Sequence, residues 1–280
     1  MLESERRSRT RSLTLRGRTL TWGERTYIMG IVNATPDSFS GDGVAGDVEA
    51  ATKRAKQMVA DGADMIDVGG ESTRPGHTPV AEEEEAARVL PVIAALRAAL
   101  PVPISIDTFK PSVAARALQL GADVINCVWG AIPGITDVAA AADAPLVIMH
   151  NRATAEYAGD VVEEVISSLE RAVRDAQAAG VTADKIIVDP GIGFGKTAEH
   201  NLEILRRLRE VSVRLAFPLL LGTSRKSFIG KVTGLPVKER TFGTAASVAL
   251  SIAGGADIVR VHDVAEMSAV ARVADAICRG

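Results

Sequence analysis

The chain has 280 residues, of which 47% are hydrophobic, 24% charged and only 4% aromatic, a size and composition normal for one α/β barrel. Its 32 basic and 35 acidic residues leave a net charge of -3, which excludes nucleic-acid binding driven by overall charge. Its two cysteines, Cys127 and Cys278, suit neither a disulfide scaffold nor a zinc site. No apolar run approaches the ~18 residues that cross a bilayer. We therefore expect a cytoplasmic protein with no nucleic-acid or membrane partner.

The N-terminal segment is rich in arginine, but acidic residues interrupt it and no apolar segment follows as in a secretory signal. We expect residues 1–12 to form a flexible basic tail. Apolar residues then flank Gly17, and this pattern predicts a β-hairpin with strands Leu13–Leu15 and Leu20–Trp22.

From Tyr27 onward, short apolar runs alternate with helical patterns. The runs are rich in Val, Ile and Leu without polar alternation, which is typical of parallel strands covered on both faces. The predicted strands are Tyr27–Asn33, Met65–Gly69, Pro103–Asp107, Asp123–Cys127, Leu146–His150, Lys185–Asp189, Pro218–Gly222 and Ala256–His262. The predicted helices are Asp47–Asp61, Pro79–Leu100, Pro111–Leu120, Ile135–Asp143, Val161–Ala179, Ala198–Val213, Phe242–Ala253 and Val264–Cys278.

Two features of the helix predicted over residues 79–100 lead to further predictions. Pro91 lies inside it, and a proline there is expected to kink or divide the helix. Glu82–Glu85 open it, and we expect these four glutamates to form a solvated first turn.

Eight βα units without a break in composition predict a single (β/α)8 TIM barrel over residues 13–280, with the hairpin at its N-terminus. A doubly wound sheet is the alternative, although it would usually close after fewer strands. A barrel places its chemistry at the C-terminal ends of the strands. Polar residues collect at those ends: Asn33, Gly69–Arg74, Asp107, Asn126, His150, Asp189, Ser224–Lys226 and Arg260–His262.

Two carboxylates end apolar strands, and each could simply cap the next helix. In a barrel, however, Asp107 and Asp189 should face one mouth, with Asn126 between them and Lys226 opposite. Such a set suits a flat heterocycle with donors and acceptors along one edge. Metal binding by the two aspartates is the alternative, although no cluster of histidines joins them.

A cationic pair follows on the last strand. Arg260 and His262 are two residues apart, so alternation places both on one face, near the usual phosphate site of such barrels. The pair predicts an anion site, and a solvent-exposed pair is the alternative. The segment from Asp189 to Thr197 only superficially matches a phosphate loop, because its glycines are wrongly spaced. It predicts a tight turn with Phe194 as an apolar wall.

The loops after the first two barrel strands are rich in small, turn-forming and hydrogen-bonding residues. We expect them to form a joint lid over the site. Residues Ala34–Gly46 and Ser72–Thr78 should be poorly ordered without ligand, because little apolar surface anchors them.

Six motifs, in this order, resemble those of dihydropteroate synthases. They are Asn33–Ser40 (NATPDSFS), Asp67–Gly76 (DVGGESTRPG), Ile106–Thr108 (IDT), Asp189–Lys196 (DPGIGFGK), Ser224–Lys226 (SRK) and Arg260–Asp263 (RVHD). Each is weak alone, but the ordered set is specific. The resemblance implies a (β/α)8 barrel, usually a homodimer, that joins 6-hydroxymethyl-7,8-dihydropterin pyrophosphate to para-aminobenzoate. The products would be 7,8-dihydropteroate and pyrophosphate, in folate synthesis, with Mg²⁺ as cofactor.

The resemblance also implies roles for individual residues. The pterin ring would be held by Asp107, Asn126, Asp189 and Lys226. Arg260 would stack on the ring while facing the pyrophosphate, and His262 would contact that anion. Asn33 would bind Mg²⁺.

The arylamine site would lie beside the pterin. Its pocket would be bordered by Thr73, Arg74, Phe194 and Ser227, and Thr73 would also contact substrate near the metal. Asp37 would position the amine or a cationic intermediate. The catalytic residues would be Arg260, His262, Lys226 and Asp37.

The chain departs from the family's pattern at one position, where Asn126-Cys127 replaces the usual Asn-Asp. Alternation should aim Asn126 inward and Cys127 toward the helices, so pterin binding should survive. The following loop would lose a capping carboxylate. Two rival functions share the barrel: a pterin-binding methyltransferase acting on a corrinoid protein, and a paralogue that binds pterin without turnover.

Overall fold

The computed structural model describes residues 12–35, 47–71 and 80–280. Its strands are β1 (Ser12–Leu15), β2 (Arg18–Thr21), β3 (Tyr27–Asn33), β4 (Met65–Gly69), β5 (Ile104–Asp107), β6 (Val124–Cys127), β7 (Leu146–Met149), β8 (Ile186–Asp189), β9 (Leu220–Leu221) and β10 (Ile258–Val261). Its α-helices are α1 (Val48–Ala60), α2 (Glu82–Ala99), α3 (Pro111–Gln119), α4 (Ile135–Ala141), α5 (Val161–Ala178), α6 (Ala198–Arg206), α7 (Leu208–Leu215), α8 (Ser227–Thr233), α9 (Thr241–Ala253) and α10 (Val264–Cys278). None of these helices is long and apolar enough to cross a membrane.

The eight strands β3 to β10 form one parallel sheet in which β10 pairs with β3. The ring closes between β8 and the start of β9, where Val188 bridges Leu219 and the Val188 N–H donates to the Pro218 carbonyl at 2.9 Å. Helices separate consecutive strands and pack on the outside. The predicted (β/α)8 TIM barrel is therefore confirmed, and the doubly wound alternative is excluded.

Successive strand residues alternate between the helix layer and the barrel interior. Ile66, Ile106 and Ile148 pack in the large core between strands and helices. The lower half of the interior, at the N-terminal ends of the strands, is apolar and forms a separate core. Its barrel residues include Met29, Met65, Val124, Val147, Ile187, Leu220 and Ile258.

The N-terminal hairpin closes the lower end of the barrel. β1 and β2 pair antiparallel around Arg16 and Gly17, whose φ values of 51° and 73° suit a tight hairpin turn. Leu13, Leu15 and Leu20 join the lower core. The Arg16 guanidinium donates to the Val102 carbonyl at 2.7 Å and fastens the turn to the barrel. The predicted hairpin is confirmed, and the lower end is filled with side chains.

Capping residues explain several boundaries. Asp47 accepts from the Ala50 N–H at 2.8 Å and begins α1, and Asp160 does the same for α5 through the Val162 N–H at 2.8 Å. Gly62, with a φ of 108°, lies immediately after the end of α1.

Three predictions about helices require correction, and one helix was missed. Pro91 does not divide α2, which is one continuous helix with this residue on its exposed side. Glu85 is not solvated: the helical period turns it toward the core, where it pairs with Lys110. The helix predicted over 198–213 is two helices, because Arg207 leaves the helical conformation. The seven-residue helix α8 was not predicted, since it is too short to show a period.

Three sequence predictions concern residues outside the described ranges. They are the flexible tail (the structure begins at Ser12, one residue before the predicted barrel domain), most of the loop 34–46, and the loop 72–78.

Candidate functional site

The upper half of the barrel interior is polar. Side chains two residues apart on a strand point to the same side. Met65 and Ile258 face the barrel interior in its lower half, so Asp67 and Arg260, two residues further along the same strands, also face inward. Five polar or charged side chains occupy this layer: Asp67, Asp107, Asn126, Asp189 and Arg260.

Arg260 joins two carboxylates across the interior. Its Nε donates to Oδ2 of Asp67 at 2.6 Å and its Nη2 donates to Oδ2 of Asp107 at 2.7 Å. The Asn126 Nδ2 donates to the same Asp67 oxygen at 3.2 Å. Burial works to lower the pKa of Arg260, but the charges of Asp67 and Asp107 outweigh it and raise that pKa. The guanidinium is therefore a fixed cation.

The two carboxylates keep hydrogen-bonding capacity. Among the described residues, Oδ1 of Asp67 and Oδ1 of Asp107 are buried without a hydrogen-bond partner. Burial raises the pKa of Asp107 to about 7, against the charge of Arg260 and with help from Asp67. A buried carboxylate without a donor is unfavourable, so a ligand that supplies N–H groups would be bound strongly here.

Asp189 ends β8 in the same layer. Its Oδ1 accepts from the Gly191 N–H at 2.7 Å, which fixes the carboxylate. Burial raises the pKa of Asp189 to about 6, while the Gly191 N–H and then the charge of Lys226 act to lower it. Lys226 also acts to lower the pKa of Asp107. The charge of one ammonium group therefore acts on both carboxylates.

The backbone of the turn that follows Asp189 packs against the side chain of Lys226. Gly191 and Gly193 have φ values of 70° and 86°, which favour glycine. A Cβ at Gly193 would lie 2.9 Å from Cδ of Lys226. The Lys226 Nζ lies 3.9 Å from the centre of the Phe194 ring, a cation–π contact. The predicted tight turn and apolar wall are both present.

His262 follows the last barrel strand and is held by a neighbouring loop. Its Nδ1 lies 3.0 Å from Oγ of Ser224, and its backbone N–H donates to the same oxygen at 3.2 Å. Next to this contact, Arg225 Nε donates to Oδ2 of Asp263 at 3.0 Å. The loops after β9 and β10 are thus joined side by side at the mouth.

Comparison with known proteins identifies the family. Residues 29–262 match the model of the pterin binding enzymes. A dihydropteroate synthase of Clostridium beijerinckii is 49% identical over 260 residues, covering 92% of this chain and 96% of that protein. The chain belongs to the dihydropteroate synthase family. Members of this family are transferases of folate synthesis, and this chain is an enzyme of that class.

Solved structures of the family have the same fold. The Xanthomonas albilineans synthase with 4-aminobenzoic acid superposes with a TM-score of 0.89 at 42% identity, covering 95% of this chain and 98% of that one. The Burkholderia cenocepacia synthase complexed with 7,8-dihydropteroate gives a TM-score of 0.85 at 40% identity, covering 95% and 96%.

The structure brings together most residues that the family resemblance selects. Asp107, Asn126, Asp189 and Arg260 share the polar layer, and the charge of Lys226 acts on both aspartates. Beyond that layer, Phe194 lies under Lys226 and His262 lies at the rim, while Asn33 ends β3 next to Gly69 of β4. Ser227 begins α8 and is exposed. Asp37, Thr73 and Arg74 lie outside the described residues.

The unusual cysteine behaves as alternation predicts. Cys127 packs in the core beside the helices, and burial raises the pKa of its thiol to about 12. Asn126 points inward to Asp67. The Gly130 N–H donates to the Cys127 carbonyl at 3.3 Å, so the loop closes as a turn.

Asp67 is the site residue that sequence reasoning missed. It is fully buried, and it is the carboxylate that Arg260 and Asn126 share. The sequence signal that could have identified it is an aspartate inside an otherwise apolar strand, two residues after Met65 and therefore on the same side of the strand.

The described residues offer no built site for a resident metal ion, and Asn33 is the one expected Mg²⁺ ligand among them. No group of three or more His, Cys, Asp or Glu within the described ranges could hold a metal ion. Asn33 offers one amide oxygen near the mouth, at the end of β3. Mg²⁺ commonly takes one or two protein ligands and completes its shell with phosphate oxygens and water.

Proposed function

We propose that the chain condenses 6-hydroxymethyl-7,8-dihydropterin pyrophosphate with para-aminobenzoate, giving 7,8-dihydropteroate and pyrophosphate. The observation that carries the proposal is the pair of buried carboxylates, Asp107 and Asp189, inside the barrel, with the charge of Lys226 acting on both. Relatives and solved structures named for this activity and complexed with its product or with 4-aminobenzoic acid support it.

The pterin ring is recognised by hydrogen bonds. Its amino group and ring N–H are donors, which suit the carboxylates of Asp107 and Asp189, and its carbonyl and ring nitrogens are acceptors, which suit Lys226 and Asn126. The unpartnered Oδ1 of Asp107 is a ready acceptor. Arg260 lies between Asp67 and Asp107, where its flat guanidinium can stack on the ring.

The leaving pyrophosphate is stabilised by side chains from β10 and from the residue that follows it. Arg260 and His262 are two residues apart and face one anion, while Asn33 would hold the Mg²⁺ that accompanies the substrate. When bound, that ion would neutralise charge on the pyrophosphate oxygens. The side chains of Arg260 and His262 stabilise the charge that develops as the carbon–oxygen bond breaks. Ring electrons of the pterin stabilise the cationic carbon, so the substitution is dissociative.

The arylamine attacks that carbon without prior deprotonation, because its nitrogen is already nucleophilic. Phe194 and Ser227 border its pocket, together with Thr73 and Arg74. Asp37 positions the amine or the cation. Lys226, supported on the Phe194 ring, connects this pocket to the pterin site.

We also propose a homodimer. Large apolar side chains are exposed on α9 and α10, whose helices pack against each other: Phe242 and Leu250 on the first, Val273 and Ile277 on the second. Exposed apolar side chains concentrated on two adjacent helices are typical of a protein contact. A cytoplasmic setting agrees with two free cysteines, one of them exposed.

Complementation tests the proposed function against its rivals. A cell without its own synthase, grown without folate or its products, should grow when it carries this chain. A pterin-binding methyltransferase or an inactive paralogue would not restore growth. Failure of the expressed, folded chain to complement would contradict the proposal.

A further inference from the structure

Lys196 lies behind the site, in the turn that follows Asp189, and the proposed chemistry gives it no role. Its Nζ donates to the carbonyls of Gly191 and Phe194, each at 2.9 Å, and lies 2.8 Å from Nδ1 of His150. An ammonium has three N–H donors, and these three acceptors use all of them. The 3.4 Å contact with the His150 carbonyl shares one of these donors.

His150 is suited to accept this hydrogen bond. It is buried at the end of β7, and burial lowers its pKa to about 3, helped by the charges of Lys196 and Arg152. The imidazole is therefore neutral. With Nδ1 as the acceptor, its proton lies on Nε2.

The turn that Lys196 spans has little conformational preference of its own. Three of its residues are glycines with positive φ values: 70° at Gly191, 86° at Gly193 and 54° at Gly195. Glycine loses more conformational freedom on ordering than any other residue, so this turn needs external contacts to stay in one conformation. Lys196 supplies contacts at both ends of it, and the Tyr157 hydroxyl supplies another by donating to the Gly195 carbonyl at 3.0 Å.

The same turn presents two groups to the site. Its first residue donates the Gly191 N–H that fixes the Asp189 carboxylate at 2.7 Å. Its fourth residue is Phe194, whose ring supports the Lys226 ammonium at 3.9 Å. Lys196 binds the carbonyl oxygens of these same two residues.

We propose that Lys196 is a positioning residue: its ammonium holds the turn Gly191–Gly195 in the conformation that places Phe194 under Lys226 and the Gly191 N–H on Asp189. It touches neither substrate, and it acts through these two contacts. Burial lowers the pKa of Lys196 to about 7, with Asp189 opposing the shift and Lys226 and Arg152 adding to it, so the ammonium form predominates below that pH; the neutral His150 is the other titratable group beside it. The kinetic part of this inference rests on the proposed function; the geometric part does not.

Kinetics of Lys196→Met test the first consequence. This variant keeps an unbranched apolar side chain, one atom shorter, and removes the charge and all three donors. We expect at least about a tenfold rise in the KM for para-aminobenzoate and a similar loss of pterin affinity, the scale of a lost charge-assisted hydrogen bond. Lys185→Met is the matched control, because Lys185 also binds a carbonyl and a carboxylate, both of Asp143, but at the opposite end of β8. The control should keep wild-type kinetics.

A double-mutant cycle separates positioning from a general loss of structure. If Lys196 acts on the arylamine pocket through Phe194, Lys196→Met should raise the KM for para-aminobenzoate little further in a Phe194→Leu background. Fully additive effects on that KM would overturn the inference. Lys196→Gln, which keeps two N–H donors, should be intermediate, and it replaces Lys196→Met throughout if the latter does not fold.

Fluorine NMR reads the geometry without turnover. The chain has six phenylalanines, so 4-fluorophenylalanine labelling gives at most six resonances, and Phe194→Leu identifies the one from Phe194. We expect this resonance to shift or broaden in Lys196→Met and to stay in place in Lys185→Met. An unmoved Phe194 resonance would overturn the inference even if wild-type turnover is normal. If the Phe194 resonance shifts in Lys196→Met but the wild-type chain shows no turnover, the proposed function would be overturned and the positioning role of Lys196 would stand.

Discussion

Arg260 and Asp107 form an ion pair across the barrel interior, with Nη2 and Oδ2 2.7 Å apart, although their strands β10 and β5 are not neighbours in the sheet. The proposed function assigns Arg260 to the leaving group and Asp107 to the pterin ring. The pair links these two tasks, so a change in the cation also alters the carboxylate that recognises the ring.

Arg260→Ala is expected to impair binding and chemistry together. It removes the cation that faces the pyrophosphate and leaves Asp67 and Asp107 without their shared donor, which raises the pKa of Asp107 above about 7. We expect a loss of at least about 2 kcal/mol in pterin affinity and about a hundredfold slower single turnover. Titration calorimetry and rapid-quench kinetics measure the two effects.

Arg214→Ala is the control for this variant, since Arg214 pairs with Glu163 on the outer surface. It should behave as wild type. Normal pterin affinity in a folded Arg260→Ala protein would contradict the assignment of this residue.

Pterin affinity is expected to fall as the pH is lowered from 8 to 5. Burial raises the pKa of Asp107 to about 7 and that of Asp189 to about 6, and only the ionised carboxylates accept both N–H groups of the ring. Calorimetry across this range measures the effect. Asp107→Asn should bind weakly at every pH and show a flatter profile. A wild-type affinity that does not change with pH would contradict this reading of the two aspartates.

The same groups should influence stability with the opposite sign. A carboxyl whose pKa is raised on folding binds its proton more tightly in the folded state, so its stabilising effect is present at low pH and is lost as the pH rises through about 7. Asp107→Asn resembles the protonated acid. Losing the ion pair with Arg260 costs the variant stability at every pH, so the test is the change with pH: relative to the wild type, the free energy of unfolding of Asp107→Asn should be higher at pH 8 than at pH 5. Denaturant titrations of both proteins at the two pH values check this, and a difference that does not change with pH would contradict it.

His262→Ala is expected to slow the chemical step and to affect ground-state binding less. Losing a hydrogen-bond donor that matters mainly as charge develops on the leaving group lowers turnover more than affinity. Single-turnover rates at saturating pterin substrate should fall by roughly one to two powers of ten. Ser224→Ala removes only the hydroxyl that holds the imidazole and should cause a smaller fall. A rise confined to the KM for para-aminobenzoate would move His262 to the arylamine pocket.

Leu20→Ala should destabilise the fold without changing the site. Leu20 packs in the lower core with the hairpin and the barrel strands, far from the polar layer. Deleting a buried leucine side chain costs about 2–4 kcal/mol. Chemical denaturation should show this loss while the KM values stay those of wild type. Thr14→Ala, on the exposed face of the hairpin, should be neutral, and a changed KM in Leu20→Ala would contradict a purely structural role.

The sequence predicted the barrel strands well because each is a continuous apolar run between turn residues. Tyr27–Asn33 and Met65–Gly69 agree to the residue. It predicted Pro218–Gly222 less well, since this run pairs over only two residues, Leu220–Leu221, before the chain turns toward Lys226. A local run of apolar residues indicates which residues are buried, but not over how many residues a strand pairs with its neighbour.

Side-chain contacts between distant parts of the barrel could not be predicted from the sequence. Asp67 and Arg260 are 193 positions apart and meet only because β4 and β10 both line one closed interior. Lys196 appeared as part of a motif, but its partner His150 belongs to the previous strand. Such pairs depend on barrel closure and on loop geometry, and the periodicity of apolar residues along the chain encodes neither.

Turnover of the purified chain is the direct measurement of the proposed activity. The protein is incubated with 6-hydroxymethyl-7,8-dihydropterin pyrophosphate, para-aminobenzoate and Mg²⁺, and dihydropteroate and pyrophosphate are both quantified. We expect the two products in equal amounts, with dihydropteroate absent when the arylamine is omitted and turnover strongly reduced in Arg260→Ala. A folded protein that binds the pterin substrate but forms no dihydropteroate would contradict the account.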